Sequence, residues 1–545
     1  MRKDKEQLTV KVILCATLTI TTAYLAIRIW SAMLTEKDAL EGAYLLLLLL
    51  CECFLSVQAF NYFGNSFRTI VKEKITDKSE IPTLEYYPPV AIGICSYKEP
   101  LEVIESTMLC LKNLTYPNKQ LYLLDDTRYD KGDMQEMDAY RAKVDKLCES
   151  IGINIFRRNW HGAKAGIIND FLFNMCGEKK EGFKTIEYQK DLGKEQAAYY
   201  AIFDADMNPL PDFVEGLVQQ LEADKNLAFI QTPQYYSNVY TNRVAHGAAM
   251  QQTIFYEYIC EGKGTQGIMP CCGTNVIFRV KALYEVGGMD MESVTEDFAT
   301  SLKLHLAGWT SVYSPHVCAF GMGPVDLAGY FKQQFRWALG SVGLLKNFVQ
   351  SIITNPRGLK LSEWFEYFSS ATYYCIGWVW LIMWSAPLLY IFFGFPHAMA
   401  KPWVIMSLFI PFFGFSMASF VYCLVRRNHR ARDIFIGMCI SAISFPVYMR
   451  ASLLALLGYR GSFSITPKKG GKSLALVYLW PQLLMVMISV AAVVWGINSV
   501  YYEKLAPAAL IINMCWSIYN GLLVIMVLYF NRPDQPIRLL PKRRK

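Results

Sequence analysis

Apolar residues are spread unevenly along this 545-residue chain. Two runs, 10–33 and 44–63, open it, and each reaches the ~20 residues that a membrane-spanning helix needs. The first is too long for the core of a signal peptide and leads straight into the second, so it reads as a retained anchor. From residue 81 to 350 the pattern changes to short apolar strands, at 90–95, 121–124, 200–203 and 229–232, alternating with helical stretches. That alternation predicts βαβ units and an open, largely parallel α/β sheet. Long apolar runs return at 372–395, 403–425, 434–457, 473–497 and 507–530. No internal repeat or low-complexity tract interrupts the series.

The charges between these runs predict a topology. Basic clusters stand at Arg2-Lys3, Arg426-Arg427-Asn428-His429-Arg430, Lys468-Lys469 and Lys542-Arg543-Arg544-Lys545, whereas the loop 35–41 is acidic. The positive-inside rule puts all four basic clusters in the cytoplasm. An even number of crossings must then separate Arg430 from Lys468, yet only the run 434–457 lies there. It carries Pro446 and Arg450, so it is expected to lie along the cytoplasmic interface without spanning. The expectation is six crossings, two in 1–80 and four in 351–545. The 81–350 domain and both termini face the cytoplasm of a multi-pass plasma-membrane protein.

Composition supports this division. Hydrophobic residues make up 53% and charged residues 18%, against roughly 25% charged in ordinary soluble domains. A mean hydropathy of +0.20 excludes a disordered or nucleic-acid-type chain and makes membrane lipid its natural neighbour. The net charge of +8 falls in the loops. The 15 cysteines form no CxxC pair or zinc-like spacing and read as reduced thiols.

One carboxylate is out of place. Glu52 lies near the middle of the second run, where it costs ~2.5–3.5 kcal/mol on insertion scales. With the first two helices antiparallel and a rise of ~1.5 Å per residue, Arg28 lies within about one turn of its depth. Either the two pair, or Glu52 is protonated and hydrogen-bonded within the bundle.

Candidate chemistry stands where strands should end. The strand 121–124 runs into Asp125-Asp126, and 200–203 runs into Asp204-Ala205-Asp206. Ligands of open α/β sheets bind beyond the carboxyl ends of the strands. Carboxylates cluster there at little cost when a divalent cation such as Mg²⁺ neutralises them and bridges phosphates. Asp204-x-Asp206 alone is equally a solvated turn; its position directly after a strand favours the ligand site. Thr295-Glu296-Asp297 opens a helix expected to run to Leu306. Thr295 is the expected N-cap, and the helix dipole is expected to keep Asp297 ionised, as a general base must be. On a further helix, Gln333, Arg336, Trp337 and Gly340 fall on one face. That face offers an amide, a guanidinium for phosphate and an indole for a sugar ring. An amphipathic helix lying on a membrane has the same spacing.

In this order, Asp125-Asp126, Asp204-x-Asp206, Thr295-Glu296-Asp297 and Gln333-x-x-Arg336-Trp337 resemble the processive family 2 glycosyltransferases, the cellulose synthase catalytic subunit above all. His161-Gly162-Ala163-Lys164-Ala165-Gly166, Phe229-Ile230-Gln231-Thr232-Pro233-Gln234 and Cys272-Gly273-Thr274 agree with it. Phe463-Ser464-Ile465-Thr466-Pro467-Lys468 looks like the FxVTxK gating loop of that family, with Ile for Val, within a loop at 461–472. The WGTR motif of hyaluronan synthases has no counterpart; the nearest string is Trp495-Gly496-Ile497-Asn498. Two positions depart from the family: Thr127 stands where Gly is frequent, and Ser96-Tyr97-Lys98-Glu99 replaces Tyr-Asn-Glu.

The resemblance implies a GT-A-type domain set in a multi-pass helical membrane region. It implies an inverting synthase that polymerises glucose from UDP-glucose into a β-glucan, cellulose or mixed β-1,3/1,4-linked, and passes the chain across the membrane. Hyaluronan, chitin or a mannuronan are the alternatives on this scaffold. A nucleotide-binding transporter is disfavoured, since the chain has no GxxxxGKS/T loop and no inverted repeat. Asp125, Asp126 and Lys164 would hold the uridine and diphosphate, with Asp204 beside them. Asp206 would ligate Mg²⁺ or Mn²⁺. Gln333 and Arg336 would contact the pyrophosphate, and Phe463, Thr466 and Lys468 would close over the nucleotide. Trp337, Cys272, Gly273 and Thr274 would meet the acceptor sugar, and Asp297, with Thr295 and Glu296, would deprotonate it. The growing glucan and accessory export subunits are the implied partners. Only 15 residues follow Phe530, so no cyclic-di-GMP-binding domain is expected.

Overall fold

The computed structural model describes residues 2–34, 39–72, 84–189, 196–316, 319–395, 402–459, 461, 472–502 and 505–532. Eleven strands are present among them: β1 (Val90–Ser96), β2 (Lys119–Asp125), β3 (Asn154–Arg157), β4 (Lys184–Ile186), β5 (Tyr199–Asp204), β6 (Met207–Pro209), β7 (Leu227–Gln231), β8 (Tyr235–Tyr236), β9 (Val276–Arg279), β10 (Thr310–Tyr313) and β11 (Ala319–Gly321). Eight form one sheet in the order β10-β7-β9-β5-β1-β2-β3-β4, and β6-β11-β8 form a small second sheet. β5, β1, β2 and β3 run parallel, as do β7 and β10, while β9 runs antiparallel between β5 and β7.

The unbroken apolar sequences of β1 and β5 have a physical reason. Strands of a largely parallel sheet are covered on both faces, and here each face has its own core. One is built by Ile104, Met108, Val144, Phe213 and Leu217 against Ile92 and Leu121. The other is built by Ile168, Phe171, Leu172 and Leu283 against Ala91 and Tyr200. In register, Ser96 pairs with Asp125 and Cys95 with Asp204, so the acids that end β2 and β5 flank the end of β1 at the carboxyl end of the sheet.

Among the described residues six helical spans are long and apolar enough to cross a membrane, Leu8–Trp30, Ala39–Ile70, Leu361–Phe393, Phe409–Arg426, Leu476–Tyr501 and Pro507–Phe530, or seven if the bent pair Ala431–Ile443 and Phe445–Leu456 is counted as one span. The stretch expected as one interface helix over 434–457 is two, Ala431–Ile443 and Phe445–Leu456. They meet at 47°, and Pro446 opens the second where a proline is tolerated. The first packs on the helix Arg243–Ile254 and the second on Leu327–Gly343. Tyr330, Gln251, Tyr448 and Gln334 form a buried hydrogen-bonded chain across this junction, with links of 2.7, 2.9 and 2.9 Å. A π-helical turn, Phe255–Cys260, follows Arg243–Ile254. Polar contacts anchor this region to the apolar helices: His429 Nε2 lies 2.9 Å from the Glu257 carboxylate, and Arg427 pairs with Glu261 at 2.8 Å. The α/β layer and the apolar helices therefore share cores and polar contacts along a common seam.

Candidate active site

Beyond the ends of β2 and β3, two acids meet two arginines. Asp125 accepts from Arg157 Nε at 2.7 Å, from the Tyr129 hydroxyl at 2.7 Å and from the Thr127 amide at 3.2 Å. With its side chain only 2% exposed, Asp125 is committed to holding the strand ends together. Asp126 lies 2.9 Å from Arg158. Burial pushes the Asp126 carboxyl up to about 7 against the pull of that guanidinium. Neither arginine is singled out by any sequence pattern; the only trace is their position at the end of the short strand β3.

The end of β5 carries the second group. Lys164, in the first turn of the helix Ala163–Met175, places Nζ 2.5 Å from Asp204 Oδ1 and donates to the Gly273 carbonyl at 2.8 Å. Burial alone would lower the Lys164 ammonium; Asp204 and its acidic neighbours outweigh it and hold the charge in place. Thr274 Oγ1 accepts from the Asp204 amide at 2.9 Å, tying Cys272-Gly273-Thr274 to the same strand end.

Gly273 then meets the third motif. Its φ is +82°, and a Cβ there would lie 2.9 Å from Asp297 Oδ2, so only glycine lets this turn press on the carboxylate. Asp297 stands in the first turn of the helix Glu296–Leu306, as the sequence predicts, and accepts from the Phe298 amide at 2.8 Å. Two local expectations are corrected. Thr295 occupies the N-cap position without a side-chain cap bond; it packs against another helix instead. The helix end does not hold Asp297 at an ordinary carboxylate value: burial, with Glu296 adjacent, pushes it up to about 7, while the Phe298 amide, Lys164 and Arg336 oppose.

The fourth motif lies on the helix Leu327–Gly343, whose start is capped by Asp326 accepting from the Gly329 amide at 2.7 Å. Gly340 touches Thr295 so closely that a Cβ would fall 2.2 Å from its Cγ2. This contact brings Arg336 within electrostatic range of Asp297. Gln333 donates to the Tyr236 hydroxyl at 3.4 Å, and Trp337 is half-buried. Thus Asp126, Lys164, Asp204, Cys272-Gly273-Thr274, Thr295-Glu296-Asp297 and Gln333-x-x-Arg336-Trp337 gather along one side of the sheet. Phe463, Thr466 and Lys468, assigned to the gate, lie outside the described residues.

Asp204 closes β5 and Asp206 follows it across the buried Ala205. Among the described residues no three His, Cys, Asp or Glu side chains form a self-sufficient metal cage. One or two carboxylates, here with the Lys164 ammonium beside Asp204, is a donor set that Mg²⁺ completes with oxygens from a ligand or water, so the residues fit such an ion.

Residues 91–287 match Glycosyl transferase family 2, and residues 200–425 match Glycosyl transferase family group 2. The cellulose synthase catalytic subunit (UDP-forming) of Pseudomonas fluorescens (strain SBW25) is 26% identical over 456 residues, 80% of this chain and 55% of that protein. Cellulose synthase 2 of Novacetimonas hansenii is 26% identical over 524 residues, covering 93% and 30%. The cellulose synthase catalytic subunit (UDP-forming) of Xanthomonas axonopodis pv. citri (strain 306) is 31% identical over 301 residues, covering 53% and 36%. The chain therefore spans 30–55% of the length of these relatives. Among solved structures, a mannosyltransferase from Pyrobaculum calidifontis in complex with GDP-Man and Mn²⁺ overlaps with a TM-score of 0.49 at 14% identity, covering 75% of this chain and 100% of that one.

Proposed function

We propose that this chain, which resembles the processive family 2 glycosyltransferases of cellulose synthase type, is a membrane-embedded inverting synthase. In this reading it extends a β-linked glucan from UDP-glucose and passes the product through its own helices, with the catalytic domain in the cytoplasm.

One observation carries the reading: Gly273 links the donor side to the acceptor side. Its carbonyl accepts from Lys164, the lysine on Asp204, and its α-carbon faces Asp297. A donor diphosphate at Lys164 would lie beside the carboxylate that deprotonates the acceptor, which is the proximity that glycosyl transfer needs. A pKa near 7 suits Asp297 to that task, because a base works best when its pKa lies near the working pH. Asp126 is the better placed of the two leading acids to meet the nucleotide, since Asp125 is spent on Arg157 and Tyr129. Gln333 and Arg336 would face the pyrophosphate, and Trp337 would stack under the acceptor sugar. Asp206 would hold Mg²⁺ or Mn²⁺ with Asp204 alongside; a bound cation would supply positive charge for the departing UDP. The gate role of Phe463, Thr466 and Lys468 rests on their sequence alone.

The test is to incubate the purified chain with Mg²⁺ and each UDP-sugar in turn, then digest the product with linkage-specific glucanases. A polymer made from UDP-glucose and cut by a β-1,4-glucanase or a mixed-linkage glucanase supports the reading. A polymer made only from an amino-sugar donor would replace it with a chitin-type synthase, and one made only when amino-sugar and uronic-acid donors are supplied together would replace it with a hyaluronan-type synthase.

A further inference from the structure

Arg158 belongs to none of the motifs, yet its side chain is only 1% exposed, next to Asp126. Its guanidinium faces two carboxylates, with Nη2 2.9 Å from Asp126 and Nε 3.2 Å from Asp170. The same group donates to three backbone carbonyls in the following turn: Asn159 at 3.0 Å, His161 at 2.6 Å and Ala163 at 3.2 Å. Arg157 next to it contacts carboxylates and a tyrosine ring, so it ties strand ends together. Arg158 alone ties an acid to a loop.

That turn is one the chain would not adopt unaided. Gly162 and Ala163 are left-handed in succession, at φ +61° and +47°. For alanine this conformation is unfavourable and persists only where the surroundings impose it. The turn also folds back tightly: a Cβ at Gly166 would lie 2.1 Å from the His161 carbonyl and 3.0 Å from Arg158 Nη2. The helix that begins at Ala163 has Lys164 as its second residue, so the turn sets the direction in which Lys164 leaves for Asp204 and Gly273.

We propose that Arg158 is a positioning residue that fixes Lys164 and Asp126 relative to each other through the left-handed turn at Gly162-Ala163. It thereby sets the nucleotide-diphosphate end of the site; this last step rests on the donor reading above. The planar fork of arginine is required, because a lysine ammonium cannot reach three carbonyls and two carboxylates together.

The experiment uses the full chain in detergent, with Arg158→Lys, Arg158→Gln and each combined with Ala163→Gly. Two quantities are read: hydrogen exchange of residues 159–170 without ligand, and UDP affinity with Mg²⁺. Arg158→Lys should speed exchange in the turn and weaken UDP binding about tenfold, the loss of roughly one charged hydrogen bond. Ala163→Gly should restore much of both, since glycine adopts the left-handed turn without help. A merely structural arginine would lower the unfolding temperature without that rescue. Unchanged exchange in Arg158→Lys overturns the proposal, as does faster exchange with unchanged UDP affinity. If Arg158→Gln does not fold, Arg158→Lys, which keeps the charge between Asp126 and Asp170, decides. Wild-type chain that fails to bind UDP would sink the donor reading separately, and the exchange data would still decide whether Arg158 holds the turn.

Discussion

Arg28 and Glu52 meet as a two-pronged ion pair between the first two apolar helices, Nε to Oε2 at 2.8 Å and Nη2 to Oε1 at 2.9 Å. Both side chains are 11% exposed. A carboxylate at mid-helix is thus matched by a guanidinium whose fork fits both of its oxygens. Removing one partner leaves the other buried and unpaired, a change that costs about 3–5 kcal/mol in protein interiors. Arg28→Gln and Glu52→Gln should each lower the unfolding midpoint in detergent. The double variant should lose less than the sum, with a coupling of about 0.5–3 kcal/mol. Additive losses in that cycle would show that the pair contributes nothing.

Asp297 has to be ionised to accept a proton, and burial pushes it up to about 7. Polymer synthesis should therefore rise with pH through the neutral range and level off above it, as an initial-rate profile would reveal. Lys164 and Arg336 pull in the opposite direction to burial. Arg336→Gln should accordingly shift the limb of its residual activity toward higher pH. Asp297→Asn should lower turnover by about 10²–10⁴-fold while UDP binding is retained; a variant with near-normal turnover would disprove the base assignment.

Asp206→Ala should remove the dependence of UDP affinity on Mg²⁺ without unfolding the domain. Calorimetric titrations with and without the cation test this, and an unchanged Mg²⁺ effect would transfer the ligand role elsewhere.

Gly340→Ala would force a methyl group to 2.2 Å from Thr295 Cγ2. Neither helix start nor helix face can yield by that much without separating Arg336 from Asp297. Overpacking of this kind typically costs about 1–3 kcal/mol, and turnover should fall further than stability does. Thr295→Ala in the same chain removes the clashing methyl and should restore part of both. A Gly340→Ala chain with wild-type turnover would show that the contact is slack.

His305 is buried between the Tyr367 hydroxyl at 2.5 Å and Ser311 Oγ at 2.8 Å. Burial, with Lys263 nearby, lowers its pKa to about 3. An unfolded chain binds that proton near pH 6.5, so the folded state binds fewer protons between these values. The neutral imidazole's contribution is complete above pH 6.5 and is lost as pH falls toward 3. In thermal melts His305→Gln should flatten the fall in stability over that window. An unaltered slope would assign the acid sensitivity to other groups.

Much of the catalytic layer is legible along the chain because its signals are local. A strand buried on both faces is largely apolar, and β1, β2, β5 and β7 all read this way; the acids that close β2 and β5 mark the sheet's carboxyl edge as well. The helix from Glu296 to Leu306 and the face shared by Arg336 and Gly340 follow from spacing alone. The match in depth of Arg28 and Glu52 follows from helical rise and the short connection between two apolar runs. The turn between Ile443 and Phe445 does not: proline marks a breaking point, but the 47° angle is set by packing on Arg243–Ile254 and Leu327–Gly343.

What the sequence determined by itself is thus which residues are chemically available and on which edge of the sheet they stand. Tertiary structure decided which of them remain available. Asp125 and Asp126 are neighbours of identical chemistry, yet Arg157, 32 residues from Asp125, consumes one, and Arg158 aligns the other. The sequence likewise offers Asp297 a helix start that favours its charge; burial under Gly273 and the Leu327–Gly343 helix reverses that preference. Hydrophobic periodicity and capping act over a few residues and are written locally. Desolvation and ion pairing depend on what other parts of the chain bring to the same point, and only the folded chain sets that.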